Sequence, residues 1–151
     1  MRNIIFRAKN LDDWLEDKNS AKWFYGDLMH DGGESRCLFF QEDGSDMEVD
    51  PDTVGQFTGA YDCANKAIYE HDFVVFNSGS DTPKIILHSK NSAEFRLFSC
   101  TSIGFKMGYS YAVDYAESHE YYKVIGNLHD NPDLIPKPVY EKIIQFLREE
   151  R

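Results

Sequence analysis

The 151-residue chain is short of basic residues, of cysteine and of long apolar runs. It carries 16 Lys and Arg against 26 Asp and Glu, a formal net charge of -10. Phosphate binding needs cations gathered on one face, so duplex DNA or RNA is not an expected partner. The cysteines are Cys37, Cys63 and Cys100, an odd number with no CxxC pair. That argues against a zinc framework or disulfide scaffold and predicts a reducing, cytoplasmic setting. No run of 18 apolar residues occurs, so no membrane-spanning helix is predicted. Only three apolar residues stand together near the N-terminus, which makes no signal-peptide core. Gly104 and Gly108 enclose Phe105-Lys106-Met107 without a following Gly-Lys-Ser/Thr, so there is no phosphate loop. A GxSxG elbow is also missing. The five histidines, His30, His71, His88, His119 and His129, never stand three or four apart, so no helical metal pair forms. No cofactor and no metal are expected.

What is present is a good core former. Hydrophobic residues make up 42% and aromatics 15%, too many for wholesale disorder. The length fits one domain able to bury a core without staples. The acids are unevenly placed. Glu42, Asp43, Asp46, Glu48, Asp50 and Asp52 fall within residues 42–52, with no base among them. The stretch reads as a solvated loop. Acids at alternate positions could also hold calcium, but the flanking helices of an EF-hand are missing.

Most segments alternate or are continuously apolar over short lengths, the mark of strands. Residues 22–30 and 36–41 read as a hairpin around Asp31-Gly32-Gly33, with Trp23 and Tyr25 on one face and Phe24 on the other. Gly26 inside the first strand reads as a bulge or a close backbone approach. Residues 11–15 fit either a helical turn or a polar loop. Residues 73–76 read as a buried strand, 78–83 as a loop, and 84–88 with 94–99 as a second hairpin. Tyr109, Tyr111, Val113 and Tyr115 stand at period two on one strand face. Residues 121–128 form a late strand. After Pro136 and Pro138, Val139, Ile143, Phe146 and Leu147 recur at helical spacing, and Pro138 suits the first turn. The predicted core includes Ile5, Trp23, Tyr25, Leu38, Phe40, Val54, Ile68, Val74, Phe76, Ile86, Phe95, Leu97, Val124, Ile125 and Phe146.

Two groups are candidates for function. Asp62, Glu70, His71 and Asp72 form the densest polar cluster among the turns and strands. Such a set can hold a divalent cation or supply a general base; equally, an Asp at a turn accepts backbone N–H bonds and fixes the chain. The Tyr109, Tyr111 and Tyr115 stripe, with Phe146 on the helix, is a candidate interaction surface. Stacking on single-stranded nucleic acid normally comes with a basic groove, and only Lys106 and Lys123 flank the stripe. Packing on a second sheet or a partner subunit is the better reading.

Five blocks in order carry a family resemblance. They are Ile5-Phe6-Arg7-Ala8; Trp23-Phe24-Tyr25-Gly26-Asp27-Leu28; Val54-Gly55-Gln56-Phe57-Thr58-Gly59; Ile68-Tyr69-Glu70-His71-Asp72-Phe73-Val74; and Val124-Ile125-Gly126-Asn127-Leu128 with Asn131-Pro132-Asp133-Leu134. In this order they resemble the YopX family, small proteins carried largely by phages and prophages, over residues 2 to 135. The resemblance implies a β-rich fold with a barrel-like portion and a phage setting, and it assigns no reaction and no catalytic residue. The family pattern has Asn-Gly after the position of Asp62, where this chain has Ala64-Asn65; Asn tolerates the left-handed region, so the turn survives. It has Gly where His71 stands. A positive φ there would strain a histidine, so ordinary β backbone or a local rearrangement is expected.

The expected fold is therefore mainly β (β-rich α+β): a twisted small barrel or roll, SH3-like in part. Residues 1–135 make the β domain. Residues 136–151 make an amphipathic C-terminal helix packed on it or on a neighbouring subunit. The leading functional expectation is a non-enzymatic binding or assembly module, acting as a homo-oligomer or on a host or phage protein. The alternatives are a small metal-assisted hydrolase built on the Asp62, Glu70, His71 and Asp72 cluster, and an acidic decoy of nucleic acid.

Overall fold

The computed structural model describes residues 4–30, 37–40, 43–77, 80–89, 92–101, 110–113 and 118–149. The chain forms two compact units, Met1–Phe57 and Thr58–Arg151. Both are built on antiparallel strands, so the mainly β expectation holds. The strand orders are open, and no closed barrel forms among the described residues.

In the first unit, β1 (Phe6–Lys9), β2 (Trp23–His30), β3 (Cys37–Phe40) and β4 (Asp46–Val49) lie in the order β4-β3-β2-β1. β5 (Gly55–Tyr61) begins beside β1, with Gly55 opposite Arg7 and Gln56 opposite Phe6. The connection from β1 to β2 holds the short helix α1 (Leu11–Glu16). Its first turn is closed by Asn10, whose side chain accepts from the Asp13 N–H at 3.1 Å, the usual service of an N-cap. Residues 42–52 are not one loop: they include β4 and a 3-10 turn, Pro51–Thr53. Met47 and Val49 alternate with acids and turn inward to the core of Ala8, Cys37, Phe39 and Val49. Tyr25 and Phe40, expected in the core, are 60% and 58% exposed. The register pairs Leu28 with Phe39 and Asp27 with Phe40. Period two fixes the alternation in each strand, and here the opposite set faces inward. Gly26 is no bulge, since it sits opposite Phe6 in regular register.

The second unit holds the rest of β5, β6 (Ala67–Tyr69), β7 (Asp72–Phe76), β8 (Ser80–Ser89), β9 (Glu94–Ser99), β10 (Ser110–Ala112), α2 (Ser118–Tyr121), β11 (Tyr122–Asn127) and α3 (Lys137–Glu149). Its five-stranded sheet runs β10-β9-β8-β7-β11. β8 starts at Ser80, inside the segment expected to be a loop. This sheet is buried on both faces. Val74, Ile86, Phe95, Leu97 and Val124 join one apolar cluster, and Phe73, Ile85, Leu87 and Phe98 join another. Two-sided burial is why β7 and β8 read as continuous apolar runs rather than alternating ones. α3 covers the second cluster. Val139 and Ile143 are fully buried, while Tyr140, Ile144, Phe146 and Leu147 pack along the rim. That is the stripe expected of an amphipathic helix. No helix among the described residues is long and apolar enough to cross a membrane.

Candidate functional site

The polar cluster resolves into two separate turns of the second unit. Asp62 opens the first. It is 2% exposed, and its Oδ1 accepts the N–H groups of Ala64 at 2.9 Å and Lys66 at 2.8 Å. Its Oδ2 accepts the N–H of Val124 on β11 at 3.0 Å. One carboxylate thus closes a turn and ties it to a strand 62 residues away. Asn65 takes φ +61 in that turn, the left-handed conformation that Asn tolerates.

The second turn joins β6 to β7 and holds Glu70 and His71. Asp72, 1% exposed, accepts the Tyr69 N–H at 2.9 Å and closes it. His71 has φ +69. Of the two expectations for this position, ordinary β backbone and a local rearrangement, the first does not hold. Two long-range bonds hold the strained residue: its N–H donates to Ile86 O at 2.8 Å and its carbonyl accepts the Leu128 N–H at 2.9 Å. A non-glycine residue in this region costs about 1–2 kcal/mol, and histidine is among the types that enter it more readily.

The His71 side chain reaches the turn after β11. Its Nδ1 lies 3.1 Å from His129 Nε2, with the rings edge to face. That turn is itself held by Asn127. Asn127 Oδ1 accepts the His129 and Asp130 N–H groups, and its amide donates to Asp130. His129 was missed from the sequence because its partner stands 58 residues away. The legible signal was the Gly126-Asn127 and Asn131-Pro132 turn chemistry around it. Asp62, Glu70, His71 and Asp72 do not come together as a cation site. Among the described residues, no group of three or more His, Cys, Asp or Glu side chains could hold a metal ion.

Of the proposed interaction surface, Tyr109 and Tyr115 lie outside the described residues and Tyr111 falls on β10. Phe146 packs against the apolar cluster beneath α3.

A concave surface appears elsewhere. The first unit has a groove of about 710 Å³ lined by Ile5, Phe24, Tyr25, Gly26, Asp27, Phe39, Phe40, Asp43 and Met47. Gly26 leaves it open: a Cβ there would meet Phe40 O at 3.5 Å and Phe39 Cδ2 at 3.7 Å, ordinary contacts with no clash. Aromatic and thioether groups form most of the lining. Its charged groups are Asp27 and Asp43, and no cation lines it among the described residues. The Ser45 hydroxyl and N–H donate to Asp43 Oδ1 at 2.6 and 2.9 Å. They hold the Asp43 carboxyl below its ordinary range, so it is anionic at neutral pH.

The architecture defines a class: an antiparallel β protein whose acidic turn residues serve as scaffold and whose concave surface is apolar with an acidic edge. The family model described as YopX protein matches residues 16–136. The chain belongs to the YopX family. A search of curated proteins returns no match.

Proposed function

We propose that the protein is a non-enzymatic binding module and that the groove of the first unit takes an apolar segment of a partner protein flanked by Lys or Arg. The observation that carries this reading is the lining itself. A cleft of about 710 Å³ walled by Phe24, Phe39, Phe40 and Met47 is of the size and character that buries side chains. The carboxylates of Asp27 and Asp43 favour a cationic flank, since charge complementarity selects partners and speeds encounter. Tyr25 and Phe40 line the groove and are exposed, and aromatic side chains are the usual anchors of protein interfaces. The phage setting that the family resemblance implies makes host proteins the natural pool of partners. The hydrolase alternative receives no such support, because Asp62 and Asp72 accept backbone N–H bonds at separate turns.

Affinity capture from the native host tests the proposal, with wild type and Gly26→Val as baits. Gly26 lines the groove, and a Cβ at this position meets only ordinary contacts. A partner retained by wild type, lost by Gly26→Val, and cross-linked to Met47 through a basic apolar segment supports the reading. A partner held equally by both baits overturns it. Sedimentation of the purified protein covers the second-copy outcome: a dimer that Gly26→Val dissociates would place another copy of this chain in the groove.

A further inference from the structure

We infer that His71 and His129 form a two-histidine site for a borderline divalent transition metal, with Zn²⁺ as the leading case. The geometry is the first argument. His71 Nδ1 and His129 Nε2 stand 3.1 Å apart. Two imidazole nitrogens each bound at roughly 2.0–2.1 Å to one ion, and separated by this distance, subtend about 100° at it. That value lies between octahedral and tetrahedral angles, and the two rings, which face each other in hydrogen-bond contact, turn to aim both lone pairs at the ion.

The backbone is the second argument. His71 holds φ +69, where glycine is the unstrained residue. Strained residues persist where surrounding structure fixes them and cluster at functional sites. Here the bonds to Ile86 and from Leu128 fix the backbone. They leave the imidazole aimed at a second imidazole on another turn. Neighbouring structure also fixes His129, whose N–H donates to Asn127 Oδ1 at 3.0 Å.

The proton balance is simple. In the metal-free pair, one of the facing nitrogens carries the hydrogen of an N–H···N bond. Metal binding needs both lone pairs, so the hydrogen moves to the outer nitrogen of the same ring, His71 Nε2 or His129 Nδ1. Affinity therefore falls as the solution is acidified. With two protein ligands, water fills the remaining positions. The site is open and exchangeable rather than a closed structural centre. Imidazole donors favour Zn²⁺, Ni²⁺ and Cu²⁺ over Mg²⁺ and Ca²⁺, which prefer oxygen.

Calorimetric titration of the full chain with ZnCl₂, after EDTA treatment and dialysis, tests the inference. One ion per chain should bind, and MgCl₂ should give no heat. His71→Gly and His129→Gln should each weaken Zn²⁺ binding at least tenfold, while His88→Gln, an exposed histidine on β8, should leave it unchanged. His71→Gly suits its backbone, and His71→Asn, which also tolerates φ +69, gives a second variant in case one fails to fold. Wild type that takes up no Zn²⁺ overturns the site, as does binding that survives both His71 substitutions.

Discussion

Removing the Asp62 carboxylate tests whether the polar cluster is scaffold or chemistry. In Asp62→Ala, three backbone N–H groups lose their acceptor at once: Ala64, Lys66 and Val124. The Val124 bond is fully buried, and an unmet buried donor costs about 1–3 kcal/mol. The other two are half-buried and can be partly met by water, so each loses about 0.5–1.5 kcal/mol. Together the loss comes to about 2–6 kcal/mol, a large share of the ~5–15 kcal/mol that holds a typical domain. Asp62→Asn should lose less. One amide oxygen can still serve Ala64 and Lys66, but the NH₂ then faces the Val124 N–H, donor against donor. Urea unfolding followed by far-ultraviolet circular dichroism reports the strands of both units, whereas tryptophan fluorescence would report only the first, where Trp14 and Trp23 lie. Hydrogen exchange at the Val124 amide reads the bond itself. The reasoning is refuted if Asp62→Ala unfolds within 0.5 kcal/mol of wild type, or if Val124 exchange is unchanged.

Four further outcomes follow from packing and burial. Gly126→Ala should destabilise by about 1–3 kcal/mol through overpacking, because its Cβ would stand 2.5 Å from Asn131 Oδ1 and 2.7 Å from Leu134 Cδ1; thermal unfolding measures the loss. Ile143→Ala on α3, with Ile143 wholly buried, should cost about 2–5 kcal/mol in the same assay. Native thiol labelling should modify Cys63, which is exposed, and leave Cys37 and Cys100 until the protein unfolds. Burial also pushes the Cys100 thiol up to about 12 from its ordinary 9.0. Between those values the unfolded chain has lost a proton that the folded chain keeps. Cys100 thus gives its full stability below pH 9 and erodes it as pH rises toward 12, and Cys100→Ala should flatten that alkaline decline in urea-unfolding midpoints.

What the sequence made legible depended on how local the physics was. The α3 stripe of Val139, Ile143, Phe146 and Leu147 was readable because one helix period sets it and the Pro136 and Pro138 breakers bound it. The β8 and β9 hairpin was readable over residues 84–88 and 94–99, where two short apolar runs flank polar turn residues, but the start of β8 at Ser80 was not. Asp62 as a turn-former was also visible, since a short carboxylate beside Ala64-Asn65 caps its own loop; its grip on Val124 was not. Tyr25 and Phe40 were placed on the wrong side because Phe24-Tyr25 and Phe39-Phe40 are apolar at both parities. Composition concealed β4, where acids at Asp46 and Glu48 masked the inward Met47 and Val49. The groove was illegible, because it depends on a missing side chain at Gly26 between strands that only the register brings together. The His71 and His129 pair was hidden by separation along the chain. Each half looked like ordinary turn chemistry.

The most direct measurement of the central claim is the affinity of the captured partner segment for wild type, Gly26→Val and the double variant Asp27→Asn with Asp43→Asn. Gly26→Val should bind at least tenfold more weakly. The double variant should bind more weakly and with less dependence on salt, since its groove no longer meets the basic flank with charge. Equal affinity for all three proteins, with the same salt dependence, would contradict a binding role for this groove.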